Sequence, residues 1–580
     1  MIRTLLFLSL STYFTKAQLS LPNPPFLPPG ADAGAEPSNS TSRSPNLQWS
    51  TLLGDALYFY EAQRSGKLPD NKRVDWRNDS AVNDGDDVGL DLSGGYYDAG
   101  DYIKATYPLS FSLMSICWGA LDFGQGYEMA NQTAYLDDML RWGLDWLIKA
   151  ILGPYIAHKA HPSDDTLYVL VGDADTDNAY WGGDENIPTP RISYQVNASQ
   201  PGTDAFAGAS AAFSACSSLY SNRTFGDTGS LSLHNSTYAK TLLSHASSLY
   251  DVAVHASGGQ QVYQKSVPAV ADAYGSSSYE DELTMAALFL SWAKNDDSLF
   301  DEAKDYYDEF SLGDDLRGVF NWDSKVPALP ILFAQVSNAT GHGDTNSWTQ
   351  KSENILDGIL DGDNGAALTK GGLLYYDGDS DSCSLNPALN AAMLMAKYAP
   401  LASDKQRQRY IEYSNQQLNY TLGDNPMSVP YIVGINPNAP KNPHSAMASG
   451  GNDIENIDNS PEEEAYVLYG ALVGGPDKLD GFFDIRRDWP QTEVALDYNA
   501  PLLTLAAYHV QADDNDPYYV ALKEGDARRP RGAPCDEAIT DGCSAKMSKG
   551  GIIAMAVCVG VTGLVVLGLF ATWFFFAWTS

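Results

Sequence analysis

Three carboxylates, held in two stretches rich in glycine and aromatic residues, are the side chains best equipped for chemistry. Asp98 and Asp101 stand three residues apart in SGGYYDAGDYIKATYP, and Glu493 stands in FFDIRRDWPQTEVALDYNA. Two close carboxylates and one separate carboxyl are the equipment of general acid and base catalysis, the kind that cleaves a glycosidic bond. A spacing of three puts Asp98 and Asp101 on the same side of a turn, where they can share one water. Gly94, Gly95 and Gly100 permit close backbone approach, and Tyr96, Tyr97 and Tyr102 are candidate sugar-contacting walls. Each motif also has a purely structural reading. Asp101 precedes the apolar run Tyr102 to Leu121 and could N-cap it. Glu493 follows Asp488-Trp489-Pro490-Gln491, a capping box that predicts a helix over Gln491 to Val510 with Glu493 in its first turns.

The elements that must position these groups are helical. Leu136, Met139, Leu140, Gly143 and Leu147 recur at helical spacing, as do Leu283, Ala286, Ala287, Leu290 and Ala293, and Leu389, Met393, Ala396 and Ala399. Long loops, such as Val171 to Ser199 and Asp424 to Gly451, separate them, too long for mere connections. Antiparallel helices carrying functional loops predict an all-α barrel or a solenoid, and no short fixed repeat supports the solenoid. With no linker between Leu47 and Ala512, residues 47–512 read as one domain. Residues 18–46, rich in Pro and Ser, read as a disordered lead-in, and 513–550 as a stalk.

A net charge of −37 excludes nucleic acid and anionic lipid as natural partners, since phosphate recognition needs clustered cations. A neutral polymer is allowed, and nothing in the sequence calls for an oligomer, so a monomer is expected. Residues 1–17 match a secretory signal, and sequons at Asn39, Asn78, Asn131, Asn197, Asn222, Asn235, Asn338 and Asn419 fit that route. The uncharged run Ile552 to Trp578 exceeds the ~20 residues that span a bilayer. The expectation is a single transmembrane helix over 551–578 with the catalytic domain outside the plasma membrane. A glycolipid anchor attached near Gly542 or Ser544 is the alternative. Six cysteines are too few to build the fold. Cys535 and Cys543 are expected to pair, Cys117 and Cys216 to be buried thiols, and Cys558 lies in the terminal apolar run.

Further motifs join the two acidic ones: Tyr279-Glu280-Asp281-Glu282-Leu283, Asn321-Trp322-Asp323-Ser324-Lys325 and Leu422-Gly423-Asp424-Asn425-Pro426. In this order, and with Phe482, Asp484, Trp489, Glu493, Ala495, Asn499 and Ala500, the chain resembles family 9 of the glycoside hydrolases, mainly β-1,4-glucan-cleaving cellulases. The resemblance implies an (α/α)6 barrel, inversion at the anomeric carbon, Asp101 as general base, Asp98 as holder of the attacking water and Glu493 as general acid. Inversion needs Glu493 protonated while Asp101 is ionised, with roughly 6.5 to 9.5 Å between carboxyls for the water. Trp181 matches a sugar-stacking residue and His444 a substrate-binding one. Asn178 stands where many relatives carry His, and Ala446 where the family usually has Arg, which removes a bidentate donor. The loop Gly372 to Ser384 likewise lacks a Trp common in relatives.

No cofactor is needed for this chemistry. Asp173, Asp175 and Asp177 alternate like a calcium loop, but Asn178 and Asp184 stand where that loop needs Gly and Glu. The resemblance implies instead a structural calcium on Ser277, Ser278, Asp281, Glu282 and Asp323. Taken together, the chain reads as a membrane-anchored endo-β-1,4-glucanase. Xyloglucan and mixed-linkage glucan are alternative substrates, and a silent glycan-binding glycoprotein is the alternative class.

Overall fold

Two kinds of helix alternate along the chain, and their burial explains the architecture. A computed structural model describes residues 18–34, 36–37, 45–151, 165–314, 317–363, 365–540 and 543. Among these, helices α1 (Leu47–Ala62), α2 (Thr106–Met129), α3 (Thr133–Ile151), α4 (Thr203–Tyr220), α5 (Ser236–His255) and α6 (Glu280–Lys294) form the first half of the barrel. Helices α7 (Asp297–Glu309), α8 (Leu329–Thr340), α9 (Thr345–Asp361), α10 (Leu385–Tyr398), α11 (Asp404–Thr421) and α12 (Leu496–Ala512) complete it. The even-numbered helices close a ring, α2 on α4, α4 on α6, α6 on α8, α8 on α10, α10 on α12 and α12 on α2. The odd-numbered helices pack outside, each against an inner neighbour, with α1 on α12.

Sequence dictates which helix goes where. Helix α10 is buried at every position, as a helix covered on all sides must be, whereas α7 buries only Phe300, Ala303 and Tyr307, a single stripe. The expected (α/α)6 arrangement is thus present. It carries two small sheets that the helical reading did not include: β1 (Lys104–Ala105), β2 (Thr166–Val171) and β3 (Ser193–Asn197) run antiparallel in that order. A hairpin of β4 (Ala366–Leu368) and β5 (Leu374–Tyr376) is the second.

Several expectations are corrected. Asp101 caps no helix: Lys104 and Ala105 pair with Val171 and Leu170, so α2 begins only at Thr106. Glu493 is not helical either. A single turn, Trp489–Thr492, is followed by extended Glu493, whose backbone pairs beside His444, while Val494 pairs with Val473. Cross-strand bonds such as Gly474 N to Glu493 O, 2.9 Å, replace helical ones there. Cys117 and Cys216 are not thiols but a disulfide joining α2 to α4, and Cys535 pairs with Cys543 as expected.

The lead-in is partly packed. Gln18 Nε2 donates to Asp138 Oδ1 (2.6 Å), Leu19 N to Asp137 Oδ2 (2.7 Å) and Phe26 N to the Tyr135 hydroxyl (2.6 Å). Leu19, Leu21 and Phe26 supply apolar surface for this docking. The expected stalk is also packed over its first half: Asn46 Nδ2 donates to Asp516 Oδ1 (2.8 Å), Trp49 Nε1 to Asn515 O (2.9 Å), and Tyr519 is buried. The described residues up to Arg531 form one compact unit, and those from Gly532 onward belong to a second. The expected signal, 1–17, and the apolar run 552–578 lie outside the described residues. Among the described residues no helix is long and apolar enough to cross a membrane.

Candidate active site

The turn between α1 and α2 is held by a buried ionic clamp. Lys104 Nζ donates to Leu92 O (2.6 Å) and Gly94 O (3.0 Å) and pairs with Asp84 Oδ2 at 2.7 Å. Arg191 Nε pairs with Asp84 Oδ1 at 2.8 Å, and its Nη2 donates to Tyr102 O, also at 2.8 Å. One buried carboxylate thereby ties both ends of the segment 92–104 to the loop after β2. Gly95 is left-handed (φ 73°), and a Cβ there would meet the Trp146 ring at 2.5 Å, so the turn fits only glycine.

Three backbone segments meet on this turn. Asp98 O accepts from Leu496 N at 2.9 Å, Gly100 O from Ala446 N at 2.8 Å, and Thr492 O from His444 N at 2.8 Å. The Glu493 carboxyl accepts from the Gly100 backbone N–H. A Cβ on Gly100 would lie 2.0 Å from the His444 carbonyl oxygen. The 98–101, 444–446 and 492–496 segments therefore converge only because residue 100 has no side chain.

Asp98, Asp101 and Glu493 are brought together as expected. Asp98 is buried, with Oδ2 accepting from the Tyr274 hydroxyl at 2.7 Å and Oδ1 without a hydrogen-bond partner among the described residues. Asp101 and Glu493 are half-buried. Asp101 Oδ1 accepts from Ile103 N at 3.3 Å. Two carboxyls join them that were not expected in this site. Asp177 lies next to Asp101, with its Oδ2 accepting from Tyr102 N at 3.0 Å, and Asp497 is buried beside Asp98 and Glu493. Asp177 stood out only in the calcium-like run beside the segment of Trp181, and Asp497 lay unremarked in the segment of Glu493. Tyr274 carried no signal. Trp322, half-buried and edge-on to Tyr274 with centroids 5.5 Å apart, lay within a motif already noted.

Burial dominates the electrostatics of this cluster. It raises Asp98 to about 7, against the opposing hydrogen bond from Tyr274. It raises Glu493 to about 8, helped by the charge of Asp98 and opposed by the Gly100 N–H. Asp101 is pushed well above the carboxylate range by burial, then by Asp177 and Glu493. Asp497 is pushed up by burial and by Asp98. Five carboxyls so placed cannot all be ionised at neutral pH, and their protons belong to the group as a whole. The arrangement thus holds protonated and ionised carboxyls side by side, which is what acid and base catalysis demands.

The expected sugar contacts divide. His444 is half-buried, and its Nδ1 lies 2.7 Å from Arg486 O. A carbonyl only accepts, so Nδ1 carries the proton and Nε2 is left with its lone pair. Burial lowers its pKa, which keeps the ring neutral. Tyr97 and Trp181 are corrected. Tyr97 is 0% exposed, with its hydroxyl on Ser80 Oγ at 2.9 Å and its ring edge-on to Tyr102. Trp181 is only 5% exposed, tilted against His444 with centroids 4.9 Å apart. Both belong to an apolar cluster with Tyr102, Ala446, Met447 and Ile457, so they back the site and do not face a sugar as open platforms. Ala446, in place of the family's Arg, is part of that same cluster.

The candidate calcium residues do gather. Asp323 Oδ1 accepts from Ser277 N at 2.7 Å, Ser278 Oγ from Glu280 N at 3.1 Å, and Asp281 Oδ2 from Lys325 N at 2.6 Å. Glu282 Oε1 accepts from the Tyr107 hydroxyl (2.6 Å) and pairs with Lys325 Nζ at 2.7 Å, while its buried Oε2 has no hydrogen-bond partner among the described residues. Asp281 Oδ1 is buried without a partner, an oxygen that a hard cation would suit. Among the described residues no three acidic, His or Cys side chains converge as a metal site.

Comparison with known proteins places the chain. Endoglucanase 13 of Arabidopsis thaliana is 33% identical over 489 residues, covering 80% of this chain and 93% of that protein. Endoglucanase A of Bacillus pumilus is 34% identical over 470 residues, and the match spans 79% of this chain but only 66% of that longer protein. Among solved structures, the endoglucanase of the termite Nasutitermes takasagoensis matches with a TM-score of 0.70 at 34% identity, over 80% of this chain and 98% of that one. Endoglucanase CelQ of Clostridium thermocellum, solved with cellobiose and cellotriose, matches with a TM-score of 0.65 at 27% identity, over 84% and 73% of the two chains. The family profile described as glycosyl hydrolase family 9 matches residues 49–506, from α1 into α12 and across every segment that meets at Gly100, and the chain belongs to that family.

Proposed function

We propose that the protein is an endo-β-1,4-glucanase that hydrolyses internal glucosidic bonds with inversion. The observation that carries this is the convergence on Gly100: a carboxyl raised to about 8, Glu493, is held against the turn bearing Asp98 and Asp101. In this reading Glu493 gives its proton to the departing glycosidic oxygen as the C1–O bond breaks. Water attacks C1 from the opposite face, and Asp101 takes the proton that the water loses. Asp98, with Tyr274 on Oδ2 and Oδ1 without a partner among the described residues, holds that water. His444 Nε2 is left to accept from a sugar hydroxyl. The glucan substrate is supported by the relatives, which are named endoglucanases and include one bound to cellobiose and cellotriose.

Asp101→Ala and Glu493→Gln should each abolish release of reducing ends from carboxymethylcellulose while the circular-dichroism spectrum is unchanged. Full activity in either variant would overturn the assignment, and proton NMR of fresh product should show the α-anomer first.

The same reading extends to location. A signal at 1–17 and an apolar run at 552–578 would hold the catalytic unit outside the plasma membrane as a glycosylated single-pass monomer. Phase partitioning of the expressed full chain, with and without residues 552–580, tests this. Calcium, if bound, would use Ser277, Ser278, Asp281, Glu282 and Asp323 and brace the loop next to Tyr274. It enters no chemical step, and a chelator should lower the melting temperature.

A further inference from the structure

The sequons play no part in the reaction, and the barrel sorts them by end. Asp98 and Asp101 precede α2, Tyr274 precedes α6 and Glu493 precedes α12. Tyr274 donates to Asp98 Oδ2 and Leu496 N to Asp98 O, so the N-terminal ends of the inner helices form one catalytic end. The opposite ends are tied to one another as well. Phe225 N donates to Leu121 O at 3.2 Å, and Arg223 Nε to Trp292 O at 2.6 Å, which joins the loop after α4 to the last turns of α2 and α6.

Three sequons lie at that far end. Asn131 stands two residues beyond α2, Asn222 two residues beyond α4, and Asn338 in the last turn of α8. At ~1.5 Å per residue, the 24 residues of α2 set Asn131 roughly 36 Å along the axis from the catalytic turn. All three asparagines are exposed, and their side-chain amides make no hydrogen bond among the described residues. Asn131 and Asn222 are left-handed, with φ 57° and 58°, in the turns that leave the two helices. Asparagine is one of the few residues that tolerate this conformation.

The other sequons differ. At the catalytic end, Asn78 N donates to Asp184 Oδ2 at 3.0 Å, and Ser80 of the same sequon is buried with its Oγ on the Tyr97 hydroxyl. Asn197, in β3, and Asn419, in the last turn of α11, are half-buried. Asn235 belongs to the far end but is half-buried, and its Oδ1 caps α5 by accepting from Tyr238 N at 3.1 Å. Asn39 lies outside the described residues.

We propose that Asn131, Asn222 and Asn338 are N-glycosylated, and that their glycans coat the end of the barrel remote from the catalytic carboxyls, leaving the catalytic end open to a polymer. This rests on the reading that the chain enters the secretory pathway. The donor is an oligosaccharide carried on a lipid diphosphate. Nδ2 of the asparagine forms a bond to C1 of the sugar, the C1–O bond to the diphosphate breaks, the lipid diphosphate leaves and Nδ2 gives up one proton. A glycan is bulky and hydrated, so the folded chain carries it only where Nδ2 faces water. The disulfides Cys117–Cys216 and Cys535–Cys543 suit the oxidising compartment in which this transfer takes place. The first of them joins the two helices whose far ends lead to Asn131 and Asn222.

The test is glycan-site mapping on the full chain, expressed with its own leader in a secreting eukaryotic host. Peptide N-glycosidase in heavy-oxygen water turns each glycosylated Asn into a labelled Asp, which mass spectrometry of the peptides locates. Label is expected at positions 131, 222 and 338 and not at 78, 197 or 419. Absence of label from any of the first three, or label at the last three, overturns the proposal. The triple variant Asn131→Asp, Asn222→Asp, Asn338→Asp keeps residues that accept the left-handed turns. It should lose three glycans by gel mobility with kcat/KM on a soluble cello-oligosaccharide unchanged, and a fall would place these glycans in substrate handling and overturn their assignment to the remote end. If the variant does not fold, enzymatic removal of the glycans from the native parent makes the same comparison. A second, borrowed leader ahead of the full chain separates the two ideas. A chain labelled at the three positions only with the borrowed leader removes the secretory reading and keeps the sites, whereas label elsewhere with both leaders removes only the sites.

Discussion

Gly100 lies so close to His444 that a Cβ on it would stand 2.0 Å from the His444 carbonyl oxygen, while its N–H supports Glu493. Gly100→Ala must therefore push the 444–446 segment away from the turn. Overpacking of this kind costs about 1 to 3 kcal/mol. A displacement of the catalytic groups on the order of 1 Å costs about 10²-fold in rate. The expected result is a folded protein, by circular dichroism, with kcat down about 10²-fold. Normal kcat would show that the approach of these segments does not matter.

The pH profile of kcat/KM should be bell-shaped. Glu493 must keep its proton, so activity is lost as pH rises through about 8. The base must be ionised, and its pKa is raised by burial and by Asp177. Activity is therefore lost as pH falls, at a pH above the usual ~3.9 of an aspartate. A rate that stays flat from pH 4 upward to pH 10 would contradict both signs.

Tyr274→Phe removes the hydroxyl that donates to Asp98 Oδ2 at 2.7 Å. That bond favours the ionised form, so its loss raises Asp98 further above about 7. Hydrogen bonds to charged groups contribute about 1.5 to 3 kcal/mol, which corresponds to roughly 10- to 10²-fold in kcat at neutral pH. Partial recovery at higher pH would separate this from misfolding, and steady-state kinetics at two pH values measures it.

The Cys117–Cys216 bond ties two inner helices across 99 residues of chain. Loss of a native disulfide costs about 2 to 5 kcal/mol, with long loops at the upper end in the chain-entropy view. The double variant Cys117→Ala, Cys216→Ala should unfold at distinctly lower urea concentration while retaining activity at 25 °C. An unchanged midpoint would mean that barrel packing alone sets stability.

The sequence by itself determined the helical class and the three carboxylates, because period and residue type are local properties. It also carried the pairing of Cys535 with Cys543, eight residues apart. What stayed illegible was non-local. Glu493 looked like an early helical residue until pairing beside His444 drew it into an extended conformation. Cys117 and Cys216 looked like core thiols until ring closure set α2 beside α4. Tyr97 and Trp181 looked like sugar walls, and only packing with Tyr102 and Met447 showed them turned inward. Asp177, some 76 positions from Asp101, came to lie next to it through the clamp of Lys104, Asp84 and Arg191. Local propensity names the groups able to do chemistry. Which of them act together is decided by burial and distance, and those exist only once the chain has closed its barrel.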